Sequence, residues 1–132
     1  MTKLIAYLID DDNATNFFNN YLLKKSGFFS DWKVFESASD ALLALKEEEE
    51  IPDLILLDIN MPVLSGWDFI DKYELLEVKN KCNCIVMLST SLNKFDSEKI
   101  ETRPRVKAYQ SKPLNTAVLK DLQQLVIQHS VR

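Results

Sequence analysis

The sequence predicts an α/β fold, with five parallel strands in one sheet and helices packed on both faces. Two observations predict it. Short apolar runs alternate five times with segments of helical period. Three of those runs are apolar throughout, as strands buried on both faces require.

Residues 4–9 (LIAYLI) form the first run and read as a buried strand. Ala14, Phe17, Phe18, Tyr21 and Leu22 then recur at helical spacing, predicting that this stripe is the buried face of a first helix. Gly27 stands where that helix should stop. Residues 32–35 read as a second strand. Ser37 and Asp40 then resemble a capping box ahead of a helix with Ala38, Ala41, Leu42 and Leu45 on one face. The acids 47–50 read as the solvated end of that helix, and Pro52 breaks it. Residues 54–57 are a third strand. Phe69, Ile70 and Tyr73 mark a third helix, and residues 84–88 a fourth strand. A short helix is expected at 95–101, a less apolar fifth strand at 106–110, and a final helix at 116–128 carrying Leu119, Leu122, Leu125 and Val126.

Composition excludes several classes. A chain of 132 residues suits one domain, here 1–132, and the last helix leaves no residues for an output domain. With 46% hydrophobic and 27% charged residues, disorder is not expected. The longest apolar run has six residues, far short of the ~20 that span a membrane. The start, Met1-Thr2-Lys3, has no secretory form, so a cytoplasmic protein without membrane contact is expected. A net charge of −4 without a basic stripe argues against direct nucleic-acid binding. Cys82 and Cys84 are too few for a zinc site and read as reduced thiols beside a strand. A single histidine, His129, leaves no triad or histidine metal site, and two glycines, Gly27 and Gly66, cannot write a P-loop. Chemistry must rest on carboxylates, hydroxyls, amides and lysine.

In open parallel sheets, function gathers beyond the carboxyl ends of the strands. There the sequence places Asp10, Asp11 and Asp12 after strand one, and Asp58 after strand three. Ser89, Thr90 and Ser91 follow strand four, and Lys112-Pro113 strand five. Taken singly, each has an ordinary use: Asp12 suits a helix N-cap, the hydroxyls a strand end, and Lys112 the surface. Together they crowd carboxylates that need a counter-charge. A hard divalent cation such as Mg²⁺ and the Lys112 ammonium would supply it. Metal, lysine and hydroxyl without a histidine base suit the binding of a phosphoryl group, with an aspartate available as nucleophile.

Ile9-Asp10-Asp11, Leu57-Asp58-Ile59-Asn60-Met61-Pro62 with Gly66, Ser89, Tyr109 and Lys112-Pro113 together resemble the receiver domain of two-component response regulators. The resemblance covers essentially the whole chain. It implies a flavodoxin-like, doubly wound fold with strand order 2-1-3-4-5. It implies that Asp58 accepts the phosphoryl group, that Asp11 ligates Mg²⁺ directly with Asp10 acting through water, and that the Asn60 carbonyl is a further ligand. It assigns Ser89 as the switch hydroxyl, Lys112 as the phosphate-binding lysine, Tyr109 as the switch aromatic, and a cis bond before Pro113. Asn60 and Ser91 would flank the water that removes the phosphoryl group. A sensor histidine kinase or histidine phosphotransfer protein would be the donor. A downstream target would read the face of helix four, strand five and helix five, in a monomer or weak homodimer. That face carries Lys94, Lys99, Arg103, Arg105 and Lys107, which read either as a surface for an acidic partner or as a solvated loop. The loop before strand five departs from the family in lacking glycine and in its basic content.

Two other readings share the chemistry. A haloacid-dehalogenase-like phosphatase also uses an aspartyl-phosphate and Mg²⁺, but its nucleophile follows the first strand with an acid two residues on. Here the candidate follows the third strand, and the residue two on is Asn60. A pseudo-receiver that is never phosphorylated would lack part of the acidic set, which this sequence keeps.

Overall fold

In the computed structural model, which describes residues 3–47, 50–91 and 93–130, five parallel strands form one sheet in the order β2-β1-β3-β4-β5. The strands are β1 (Ile5–Ile9), β2 (Asp31–Phe35), β3 (Leu54–Asp58), β4 (Ile85–Ser89) and β5 (Val106–Ser111). The helices are α1 (Asn13–Ser26), α2 (Ala38–Lys46), α3 (Gly66–Leu75), α4 (Lys94–Glu101) and α5 (Thr116–His129). The expected elements are all present, with ends moved by one or two residues.

The three central strands β1, β3 and β4 are buried along their whole length, which is why their sequences are continuous apolar runs. Alternate side chains serve two cores. Ile5, Tyr7, Ile9, Ile55, Leu57, Ile85 and Met87 face α2 and α3 with Ala41, Leu45, Phe69, Ile70 and Tyr73. Ala6, Leu8, Leu54, Leu56, Val86 and Leu88 face α1 and α5 with Leu22, Leu23, Leu119, Leu122 and Val126. Cys82 and Cys84 are free and buried, and burial pushes their thiols up to about 12 and about 11, so both stay protonated and unreactive.

Helix α1 is turned away from the expected phase. Its inward residues are Asn16, Asn19, Leu22 and Leu23. Phe17, Phe18 and Tyr21, expected inside, are exposed at 79%, 40% and 53%. The cause lies at the helix start. Asp12 caps α1 by accepting from the Thr15 N–H, and Asn16 Nδ2 donates to the Asp10 carbonyl at 2.8 Å. Satisfying that buried carbonyl fixes the rotation of the helix and leaves the aromatic stripe outside.

Two further details differ. Helix α2 ends at Lys46, so the acidic run lies beyond it rather than on its last turn. Glu48 and Glu49 of that run fall outside the described residues, and Glu50 stands 3.8 Å from Lys33 and 4.0 Å from Lys3. The glycines are placed by geometry. Gly27 ends α1 at φ 66°, and a Cβ on Gly66 would come within 2.5 Å of the Asp58 carbonyl oxygen. The first turn of α3 therefore rests directly on the backbone of Asp58. Among the described residues, no helix is long and apolar enough to cross a membrane.

Candidate functional site

The chain crosses from one side of the sheet to the other between β1 and β3, and there their carboxyl ends open a crevice. Asp10 leaves β1 and Asp58 ends β3, so the two carboxylates flank it. Both are buried, at 3% and 5% exposure. Asp10 is oriented from several sides. Its N–H donates to the Phe35 carbonyl at 3.0 Å, and its Oδ1 accepts from the Asp12 N–H at 2.9 Å. Asp58 Oδ1 accepts from the Asn60 N–H at 3.3 Å.

Lys112 comes from beyond β5, and its Nζ lies 2.6 Å from Asp10 Oδ2 and 3.2 Å from Asp58 Oδ1. The Lys112–Pro113 peptide bond is cis. Burial works against the Lys112 ammonium, but its hydrogen bond to Asp10 and the charges of Asp10 and Asp58 outweigh this and hold its pKa above the ordinary lysine value. Burial, then the charge of Asp10, raises Asp58 to about 6 against the pull of Lys112. A carboxylate held this way is ionised at neutral pH yet more basic than a solvated one, which suits a nucleophile.

Asp11 is exposed and completes the cluster. One carboxylate oxygen from each of Asp10, Asp11 and Asp58 falls within a 4.8 Å group. Ligands on opposite sides of a Mg²⁺ stand ~4.2 Å apart given bonds of ~2.1 Å. Three carboxylates against one ammonium also leave negative charge over. Hard oxygen donors, spacing and charge therefore fit a divalent cation. Asp12 is not part of this group and serves as the α1 cap. Its hydrogen bonds from the Thr15 side chain and backbone hold its carboxyl below the ordinary value.

Ser89 ends β4 with its side chain shielded from solvent. Its Oγ donates to the Ser91 carbonyl at 3.0 Å and accepts from Asn60 Nδ2 at 3.3 Å. Asn60, Ser89 and Ser91 are thus linked beside Asp58. Tyr109 stands apart on β5. It is partly exposed, and its hydroxyl is 3.1 Å from Ser97 Oγ on α4. Beside Lys112 lies a mostly apolar cavity of about 300 Å³, lined by Ala14, Thr15, Phe18, Asn19, Thr90 and Pro113. Sequence reading missed this wall, because it placed Phe18 in the core.

The family model of the response regulator receiver domain matches residues 6–124. The chain belongs to that family. A hybrid signal transduction histidine kinase of Dictyostelium discoideum is 31% identical over 113 residues, 82% of this chain. The chain spans only 7% of that relative's length. A two-component response regulator from Cytophaga hutchinsonii is 32% identical with a TM-score of 0.85, covering 96% of this chain and 99% of that one. The receiver domain of a sensor histidine kinase from Pseudomonas aeruginosa shares the fold at 20% identity and a TM-score of 0.77, covering 96% of this chain and 99% of its own. That structure has a magnesium ion coordinated in its active-site cleft. Receiver domains are signalling modules, and this chain carries their flavodoxin-like sheet.

The basic cluster expected on the signalling face is largely engaged within the protein. Arg103 makes two hydrogen bonds to Asp71 of α3, at 3.1 and 3.0 Å. Arg105 pairs with Glu74 of α3, and Lys107 Nζ donates to the Pro104 carbonyl at 2.6 Å. Phe95 of α4 and Tyr109 of β5 are exposed there at 71% and 38%, beside the exposed Lys94 and Lys99.

Proposed function

We propose that this receiver takes a phosphoryl group onto Asp58 from a phosphohistidine donor and thereby changes its affinity for a partner. The observation that carries the reading is the buried Asp58 carboxylate, held between Lys112 at 3.2 Å and the acidic pair Asp10 and Asp11. The carboxylates of Asp10, Asp11 and Asp58 and the Asn60 carbonyl would hold Mg²⁺. When bound, the ion supplies the positive charge that offsets the carboxylates and the incoming phosphoryl oxygens.

One Asp58 oxygen attacks phosphorus. The phosphorus–nitrogen bond to the donor imidazole breaks, and the imidazole leaves with the bonding pair and takes up a proton. Lys112 neutralises charge on a phosphoryl oxygen. The Ser89 hydroxyl gives up the Ser91 carbonyl and donates to the phosphoryl group. Tyr109 then turns inward from Ser97 into the space behind the end of β4. Asn60 and Ser91 flank the approach of the hydrolytic water and tune the lifetime of the phosphoryl group. No external substrate is turned over, since no general acid or base stands two residues beyond Asp58.

The donor is a sensor histidine kinase or a histidine phosphotransfer protein in the cytoplasm. It must bring its ring to the rim of the crevice, where Phe18 lines the cavity beside Lys112. The exposed Phe17, Phe18 and Tyr21 continue that apolar surface along α1 and give the donor a face to bury. The output face around Phe95 and Tyr109 is apolar enough that partner binding, or weak self-association, should depend only modestly on salt.

The test is transfer of labelled phosphate from a phosphorylated histidine kinase. Wild type should gain hydroxylamine-sensitive label, and Asp58→Asn none. Equal labelling of the two proteins would reject the reading.

A further inference from the structure

Helix α4 has an unusual anchor. Its one buried residue is a carboxylate, Asp96, at 6% exposure. Phe95 points to solvent, and Ile100 is only partly buried against the core. A buried carboxylate demands partners. Asp96 Oδ2 accepts from the Asn93 N–H at 3.2 Å, closing the capping box that starts the helix. Its Oδ1 accepts from Trp67 Nε1 of α3 at 2.9 Å.

Trp67 is itself fixed. It is 5% exposed, and Lys99 and Arg103 stand over its ring at 5.6 and 5.4 Å. It follows Gly66, whose N–H donates to the Ile59 carbonyl at 2.8 Å and whose Cα rests against the Asp58 carbonyl and Ile59 Cα with no room for a methyl group. A shift of the Asp58–Ile59 backbone therefore passes into the first turn of α3 without slack. On its other side α4 is tied to β5 by the Ser97–Tyr109 hydrogen bond. Polar ties on two flanks, rather than apolar packing, set where α4 lies.

We propose that the Trp67–Asp96 hydrogen bond is a latch that holds α4 in its resting position and links α4 to the Asp58 backbone by a route separate from Ser89 and Tyr109. Trp67 and Asp96 are positioning residues in this account. The signalling consequence rests on the receiver reading, whereas the latch itself can be read without any phosphoryl group.

Two measurements test it. The first is amide hydrogen exchange followed by mass spectrometry on metal-free protein. Trp67→Phe keeps an aromatic ring but deletes the donor. It should speed exchange across residues 97–101 by about tenfold or more, as loss of a hydrogen bond to a charged acceptor implies, and leave α1 and α5 unchanged. Asp96→Asn offers one acceptor oxygen to two donors, Trp67 Nε1 and the Asn93 N–H, so one of those two bonds is lost along with the charge. It should speed the same amides by about tenfold, and it carries the test if the first variant does not fold. Wild-type exchange in α4 of either folded variant overturns the latch.

The second measurement uses Trp32→Phe, which leaves Trp67 as the sole indole. Beryllofluoride with Mg²⁺ should shift its emission, and should still do so when Ser89→Ala is added. Fluorine resonance of bound beryllofluoride is recorded alongside. Bound mimic with unmoved emission, or emission that moves only with Ser89 present, overturns the separate route. Absence of bound mimic overturns the receiver reading instead, and the separate route with it.

Discussion

Replacing Asp58 with asparagine should make the metal-free protein more stable at neutral pH, although it removes the proposed acceptor. An unfolded aspartate titrates near 3.8, and in the folded protein burial and then the Asp10 charge raise Asp58 to about 6. Between those values the folded state keeps a proton that the unfolded state has lost. Stability therefore falls as pH rises through that window, and the loss is complete above about pH 6. The gap corresponds to about 3 kcal/mol at most, already net of the attraction of Lys112. The asparagine would keep the size of the side chain and an acceptor for the Asn60 N–H, while Lys112 would retain Asp10 at 2.6 Å. The variant should match wild type near pH 4 and exceed it by about 2–3 kcal/mol at pH 7.5. Urea unfolding in EDTA, followed by circular dichroism across that pH range, measures the difference directly. A variant less stable than wild type at pH 7.5, or a difference that does not grow with pH, would refute the reasoning. Added Mg²⁺ should then stabilise wild type more than the variant, since only wild type holds the full acidic cluster.

Two further outcomes follow from the same geometry. Val63 is a β-branched residue at φ 68°, 97% exposed, in a turn closed by the Leu64 N–H donating to the Pro62 carbonyl at 2.8 Å. Val63→Gly should raise stability in urea unfolding by about 0.5–1 kcal/mol, because relieved strain of ~1–2 kcal/mol exceeds the added chain entropy; an unchanged or lower midpoint counts against the strain. Replacing the Asn60 or Ser91 side chain should alter the rate at which the phosphoryl group is lost by several-fold, while Mg²⁺ affinity by titration calorimetry holds, since Asn60 is expected to ligate through its backbone. Unchanged hydrolysis in both variants would remove them from the water's path.

Much of the sheet was legible because buried parallel strands leave an unmistakable mark. Residues 4–9, 54–57 and 84–88 had no charged residue to offer solvent, and each became a central strand. The residues at their ends were legible for the same reason, since the topology sends Asp10, Asp58, Ser89 and Lys112 to one edge. What escaped were choices made between distant groups. The stripe on α1 has core periodicity, yet a single carbonyl at Asp10 needing Asn16 turned it outward. Arg103 and Arg105 look like free charge along the chain, and only the packing of α3 beside them supplies Asp71 and Glu74. Trp67 sits in the core, but its indole N–H needs a buried acceptor, and Asp96 lies 29 residues away in sequence.

Location of the phosphoryl group itself tests the account most directly. Wild-type protein charged with Mg²⁺ and a phosphorylated histidine kinase can be reduced with borohydride, which converts an aspartyl phosphate to homoserine, and then sequenced by tandem mass spectrometry. The account predicts homoserine at position 58 alone, at a yield that falls strongly when Lys112 is replaced by methionine. Modification at Asp10, Asp11 or Asp12, or full labelling with position 58 intact, would contradict it.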